Sequence, residues 1–219
     1  MLFSATIPKE VMEIAAKHMR LPVSIEIAPS GTTVERVTQE LFIVRNDAKR
    51  QLLGKILAQY HGSVLLFSRT KRNATNLVRS IRQMGHSVAE IHSNRSLSQR
   101  REALEGFKAG KYRVLVATDI AARGIDVAGI ELVINYDLPE DAENYVHRIG
   151  RTARAGHKGH AISFATPEQG EEVRDIEKLT RKPLPRSKHP LVSSAEFLQP
   201  GQRSQSSQSR EEKKNYFRK

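Results

Sequence analysis

Three short apolar blocks constrain this chain more than any other feature: Val64-Leu65-Leu66-Phe67, Val114-Leu115-Val116-Ala117 and Leu132-Val133-Ile134. None of them alternates apolar with polar residues. A strand of this kind has to be covered on both faces, which is the situation of a parallel sheet layered between helices. The stretches between the blocks carry helical spacing instead. Leu77, Val78 and Ile81 share one side of a helix expected from Thr70 to Met84, and Gly85 closes it. A second helix is expected from Ser96 to Lys108, with Gly110 after it. Strands are also expected at Thr38–Val44, Val88–Ile91 and Ala161–Phe164. Helices are expected over Pro8–His18, from an Asp47 cap through Leu52, Leu53, Ile56, Leu57 and Tyr60 to Gly62, over Asp141–Ile149 and over Glu168–Leu179. A short helical turn is expected between Asp119 and Gly124, Val23–Ile27 reads as a strand or extended linker, and Pro29–Thr33 reads as a loop. Strands alternating with helices predict an α/β fold, a parallel sheet with helices on both faces. Ligands of such sheets sit at the carboxyl ends of the strands, so the loops to read follow Phe67, Ile91, Ala117, Tyr136 and Phe164.

Charge says what kind of ligand to look for. The 219 residues carry a formal net charge of +12, an excess that suits an anionic partner, nucleic acid first and a membrane surface or acidic protein second. From Lys182 onward nine Lys/Arg stand against three Asp/Glu, so half of that excess lies in the last segment. Pro183, Pro185 and Pro190 break regular structure there, and Gln202–Ser209 is mostly Ser and Gln. Residues 183–219 therefore read as a disordered basic tail, either attracted to nucleic-acid phosphates or merely solubilising. The chain has no cysteine, which removes disulfides and thiolate metal sites and agrees with a cytoplasmic location. No apolar run is long enough to span a membrane, and the start does not read as a signal peptide. Leu2-Phe3-Ser4-Ala5-Thr6 instead resembles the end of a buried strand and its exit loop, so the chain is expected to be a fragment of a longer protein.

Three loops carry more chemistry than a connection needs. Ser68-Arg69-Thr70-Lys71-Arg72 puts hydroxyls and bases at a strand end and a helix N-terminus, a seat for phosphate as well as a cap. Thr118-Asp119-Ile120-Ala121-Ala122-Arg123-Gly124-Ile125-Asp126 gathers a hydroxyl, two carboxylates and an arginine, with small residues that let another chain approach closely. His147-Arg148-Ile149-Gly150-Arg151-Thr152-Ala153-Arg154 packs three arginines and a histidine into eight residues. Gly150 and Gly156 favour a helix end followed by a loop that can aim guanidinium groups at phosphate; a solvated basic face is the alternative. His157 and His160 lack a third ligand, so no metal site is expected. No Gly-x-x-x-x-Gly-Lys-Ser/Thr phosphate loop occurs anywhere in the sequence. The chain has arginines suited to a nucleoside triphosphate and no cradle for one.

These strings resemble, in order, the C-terminal RecA-like domain of DEAD-box ATP-dependent RNA helicases. Ser4-Ala5-Thr6 is similar to motif III, Val64–Thr70 to motif IV, Val114–Val127 to motif V and Tyr145–Gly156 to motif VI. The middle section looks most like the bacterial RhlE-like subgroup. The resemblance implies residues 1–22 as the end of an N-terminal RecA-like domain and linker, 23–182 as the C-terminal helicase domain and 183–219 as the tail. It implies ATP with Mg2+, both held mainly by the N-terminal RecA-like domain, as cofactors. It implies RNA, single-stranded or a short duplex, bound without sequence preference. By resemblance Arg151 and Arg154 reach the γ-phosphate, Arg154 as the arginine finger, and Gly124 and Asp126 sit near the ribose. His147 couples the cleft to motif III, where Ser4 and Thr6 link nucleotide state to RNA grip. Thr70, Thr118 and Arg100 contact the RNA sugar-phosphate backbone. Leu97 stands where the family often has Gln, and Ser93 where it has Gly, so the stretch His92–Arg100 departs most from the pattern. The function this implies is half of an RNA-dependent ATPase that separates short duplexes, with this chain inactive by itself. The alternative is a stand-alone, non-catalytic RNA-binding module.

Overall fold

The computed structural model describes residues 9–19, 37–122, 127, 129–153, 159–190 and 195–198. The expected extended stretch at 23–27, the loop at 29–33 and the end of the tail, 199–219, lie outside them. In chain order the elements are α1 (Lys9–His18), β1 (Val37–Ile43), α2 (Lys49–Gln59), β2 (Val64–Phe67), α3 (Lys71–Gln83), β3 (Val88–Ile91) and α4 (Leu97–Lys108). Then follow β4 (Val114–Ala117), α5 (Asp119–Ala122), β5 (Leu132–Asn135), α6 (Ala142–Ile149), β6 (Gly159–Ala165) and α7 (Gly170–Thr180). Among the described residues, six strands form one sheet in the order β1-β6-β5-β2-β4-β3, and every pair is parallel.

The apolar blocks occupy the middle of that sheet, as their double burial requires. Val64 and Leu66 turn to one face, with Leu52, Ile56 and Leu57 of α2 and Leu77 and Ile81 of α3. Leu65 and Phe67 turn to the other, with Phe107 of α4, Tyr145 and Ile149 of α6 and Ile176 of α7. Both sets are apolar, so the period of two survives in the structure while disappearing from the sequence.

Local signals explain most boundaries. The Thr70 side chain accepts the Asn73 amide at 3.1 Å and starts α3. Ser96 and Gln99 close a reciprocal capping box at the start of α4. Gly85 and Gly110 take positive φ, 86° and 76°, just past α3 and α4. Asp47, in contrast, is not the cap of α2. Ala48 occupies that position in helical conformation without a side-chain bond, while Asp47 meets Arg45 at the surface, 3.4 Å away. That helix also stops at Gln59, three residues before Gly62, because Tyr60 turns extended at φ −97°, ψ 128°.

The largest departure concerns the start of the expected tail. Residues 183–190 and 195–198 do not leave the domain. Leu41 donates its amide to Pro185 O at 2.8 Å and accepts the Ser187 amide at 2.8 Å, a parallel bridge onto the outer side of β1. Ala195 donates to Ile43 O at 2.8 Å, Leu198 donates to Pro167 O at 2.9 Å, and Arg186 lies 5.2 Å from the Phe197 ring. Leu184 is buried and Phe197 packs against the core. Proline breaks helices but is tolerated on an edge strand, where its missing N–H can face away from the ladder.

Candidate functional site

Because all six described strands are parallel, the loops after β2, β3, β4 and β5 leave one edge of the sheet. Buried polar side chains bind these loops together. Arg148 of α6 is the centre, only 2% exposed. Its Nε donates to Asp119 Oδ1 at 2.6 Å and Nη2 donates to Oδ2 at 2.8 Å, a bidentate pair. Its Nη1 donates to Asn135 Oδ1 at 3.1 Å and to Asp137 O at 2.7 Å, and the guanidinium lies 5.0 Å from the centre of the Phe67 ring. One side chain thus joins the ends of β2, β4 and β5 to the helix that carries His147.

Asp137 is the second junction. Its carboxylate accepts Ser68 Oγ at 3.2 Å, the Arg69 amide at 3.0 Å, Asn73 Nδ2 at 3.1 Å and Lys49 Nζ at 3.4 Å. Burial alone would push this carboxyl up. The Lys49 charge and the bonds from Arg69, Asn73 and Ser68 outweigh it and hold the group below its ordinary value. A third cluster fixes the loop after β3. Glu90 is buried and accepts Thr75 Oγ1 at 2.9 Å, His92 Nε2 at 3.1 Å and the Arg95 guanidinium. His92 Nδ1 accepts the Asn94 amide at 3.2 Å, and Lys71 Nζ donates to Asn94 Oδ1 at 2.8 Å. With Nδ1 accepting, His92 carries its proton on Nε2 toward Glu90.

Of the candidates read from the sequence, Thr70, Arg100, Thr118, His147 and Arg151 fall within the described residues. Ser4, Thr6, Gly124, Asp126 and Arg154 lie outside them. Thr70 is exposed at the end of β2; its oxygen caps α3, and its own proton remains to donate. Thr118 opens α5, its carbonyl accepting the amides of Ala121 and Ala122 at 3.1 and 2.9 Å. Arg100 Nε and His147 Nε2 are buried and have no hydrogen-bond partner among the described residues. Arg151 is half-buried in the turn after α6. That turn is held from below, since buried Thr152 donates Oγ1 to Ile130 O at 2.5 Å. Ala153 takes a left-handed φ of 56°, uncommon for a residue with a side chain. Gly159 is needed opposite, because a Cβ there would run into Thr152 Oγ1 and the Ala153 amide.

Arg148 and Arg151 of the His147–Arg154 stretch are therefore not equivalent. Arg148 is buried on α6, whereas Arg151 is half-buried in the turn beyond it. The sequence held the signal: Tyr145, Arg148 and Ile149 lie three and four residues apart and make one buried helix face. Lys49, Glu90, Asn135 and Asp137 went unnoticed as site residues. The only trace they left was polarity inside or beside apolar blocks. Among the described residues no three His, Asp or Glu side chains gather so as to hold a metal, and no helix is long and apolar enough to cross a membrane.

The family model described as the helicase conserved C-terminal domain matches residues 48–156. In the DEAD-box protein SrmB of E. coli, solved bound to regulator of ribonuclease activity A, the matched chain is 30% identical with a TM-score of 0.70; the match covers 74% of this chain and 98% of that one. The chain belongs to the DEAD-box family, as a C-terminal helicase domain. Among curated relatives, the ATP-dependent RNA helicase DbpA of Bacillus subtilis is 42% identical over 179 residues, 81% of this chain and 37% of DbpA. The DEAD-box ATP-dependent RNA helicase CshA of the same organism is 38% identical over 196 residues, 89% of this chain and 40% of CshA. The chain thus spans about two fifths of the length of these relatives. S. cerevisiae Dbp5, solved bound to RNA and ADP BeF3, superposes with a TM-score of 0.76 at 31% identity, covering 84% of this chain and 50% of that one. The parallel α/β sheet expected from the apolar blocks, and the RecA-like fold that the resemblance implied, are the fold of these DEAD-box domains.

Proposed function

We propose that this DEAD-box domain works as one half of an ATP-dependent RNA helicase, gripping the RNA backbone and completing an ATP site held by an N-terminal RecA-like domain. The observation that carries this reading is that Arg100 Nε and His147 Nε2, on two of the residues the resemblance singles out, are among the buried side-chain nitrogens without a hydrogen-bond partner in the described residues. In a face where Arg148, Asp137 and Glu90 are fully engaged, Arg100 Nε and His147 Nε2 have nothing to bond among the described residues. Buried polar atoms ordinarily find partners. A phosphate oxygen suits Arg100, and a group of a facing domain suits His147. The reading is also supported by the likeness to Dbp5, which was solved with RNA and ADP BeF3.

In this reading Thr70, Thr118 and Arg100 contact sugar and phosphate rather than base edges, which gives grip without sequence preference. Arg151 and Arg154 reach the γ-phosphate, Arg154 as the arginine finger, while Gly124 and Asp126 meet the ribose. His147 works with Ser4 and Thr6 to couple nucleotide to RNA. The anchored turn at 150–153 suits that task, because it fixes the backbone on which Arg151 is carried. ATP and Mg2+ are left mainly to the N-terminal domain, where the nucleotide supplies the free energy of hydrolysis. The first 22 residues close the N-terminal domain and linker, and the helicase domain runs from 23 past the expected boundary at 182, since residues 183–190 and 195–198 pack on it. The protein works in the cytoplasm. A stand-alone RNA-binding module is not favoured by membership of this family.

The deciding experiment uses the full-length helicase. An arginine finger is worth roughly 10³–10⁵ in rate in GTPases. Arg154→Ala is expected to lower RNA-stimulated ATP turnover by at least about 10³ on that scale, with RNA affinity kept within about twofold. Turnover near that of the parent protein would overturn the role.

A further inference from the structure

Lys49 is placed where a lysine is least comfortable. It is 2% exposed, and burial is the main reason its ammonium sits below its ordinary pKa. It is also the first residue of α2, where the helix dipole already presents partial positive charge. Leu52, Leu53 and Ile56 are buried on the same helix, so an apolar side chain would suit both the burial and the dipole better. What the lysine does supply is a pair of donations. Its Nζ bonds Tyr136 O at 3.0 Å and Asp137 Oδ1 at 3.4 Å, with the Tyr136 ring centre 5.5 Å away. That leaves Asp137 Oδ2 to hold Ser68 Oγ, the Arg69 amide and Asn73 Nδ2. Ser68 and Arg69 immediately precede Thr70, and Asn73 is the residue that Thr70 caps.

We propose that Lys49 is a positioning residue for the RNA-backbone contact at Thr70, acting through the carboxylate of Asp137. The inference rests on the reading of the Ser68–Thr70 loop as an RNA contact. Lys49 keeps Asp137 ionised and turned toward the loop, and the ionised carboxylate fixes the Arg69 amide and so the approach of Thr70. Without the ammonium, Asp137 is a nearly buried anion that lacks a counter-charge; taking up a proton or turning to solvent relieves it, and either loosens the loop.

The test is a double-mutant cycle on the 219-residue chain, reading the affinity for a fluorescent ten-uridine RNA at fixed salt. Lys49→Met and Asp137→Asn are each expected to weaken binding about fivefold. The double variant is expected to be no weaker than either single one, because both break the same linkage. Amide hydrogen exchange reports the anchor directly: the Arg69 amide loses protection about tenfold in Lys49→Met, while Leu65 and Leu66 in β2 stay within twofold. Uniform loss of protection with unchanged affinity means that Lys49 only stabilises the fold, and it overturns the proposal. So do losses that add in the double variant. If Lys49→Met does not fold, Asp137→Asn carries the test alone, and an unchanged affinity there is equally fatal. Thr70→Val separates the two layers. If it leaves affinity unchanged, the loop is not an RNA contact and the underlying reading fails with the inference. If it weakens binding while Lys49→Met does not, only the anchor fails.

Discussion

Replacing Arg148 by methionine removes the side chain that joins three strand ends, and the structure sets the size of the effect. Methionine fills much of the same volume, so lost packing is the smaller part. What remains is the Asp119 carboxylate, the Asn135 amide oxygen and the Asp137 carbonyl, all deprived of a donor. Breaking a buried ion pair on one side costs about 3–5 kcal/mol. The Asp119 side chain keeps 30% of its surface exposed, and water there recovers part of the charge term, which argues for the lower end, about 3 kcal/mol. Asn135 is fully buried, and an unsatisfied acceptor there adds about 1 kcal/mol. The expected loss is about 4 kcal/mol, which for a domain of this size lowers the melting temperature by about 8–16 °C. Urea and thermal unfolding of Arg148→Met beside Arg151→Met provide the measurement, since the half-buried Arg151 is expected to lose about 1 kcal/mol or less. Equal losses in the two variants, or less than about 1 kcal/mol in Arg148→Met, would refute the division of the cluster into a structural and a functional arginine.

Two further outcomes follow from the same face. Gly159→Ala drives a Cβ into Thr152 and the Ala153 amide, so it is expected to cost about 1–3 kcal/mol and, in the full-length helicase, to lower ATP turnover more than RNA affinity; unfolding curves and turnover matching the parent would contradict the close packing. Burial would raise the Glu90 carboxyl, but bonds from Arg95, Thr75 and His92 prevail and hold it below the ordinary 4.5. A carboxyl depressed in the folded state adds stability that is present above its unfolded value and disappears as pH falls through the folded one. Stability is therefore expected to decline below about pH 4.5, and Glu90→Gln to flatten that decline in urea midpoints measured across the acid range.

The central strands were legible because burial on both faces leaves an unmistakable trace, three or four apolar residues in succession. The helices that follow them were legible through caps and glycines: Thr70, Ser96, Gly85 and Gly110 stand where the chain turns. Asp47 misled because a carboxylate before a helix looks like a cap, whereas nothing in a sequence tells whether its side chain turns back to the amides or out to Arg45. The site was half legible. Its exposed hydroxyls and arginines could be matched to motifs, but the residues that hold them in place could not. Lys49 and Asp137 lie 88 positions apart, and their meeting depends on how α2 packs beside the end of β5. Arg148 and Arg151 are the same residue type three positions apart, and what separates them is that Arg148 shares the buried face of α6 with Tyr145 while Arg151 stands in the turn beyond the helix. The segment after α7 was misread for another reason. Its attachment to β1 is made by backbone groups of Leu41, Pro185 and Ser187, and backbone bonds leave no mark on side-chain composition.

That attachment decides where this domain can be cut. β1 is the outer strand of the sheet, and its lateral N–H and C=O groups are met by residues 185, 187 and 195 of its own chain. A protein ended at residue 182, where the prolines begin, would expose that strand's unpaired backbone to any other extended chain in solution. Such bare edges recruit copies of themselves. Ending after residue 198 keeps the seam closed, so the shorter and apparently tidier version is the one expected to associate and precipitate.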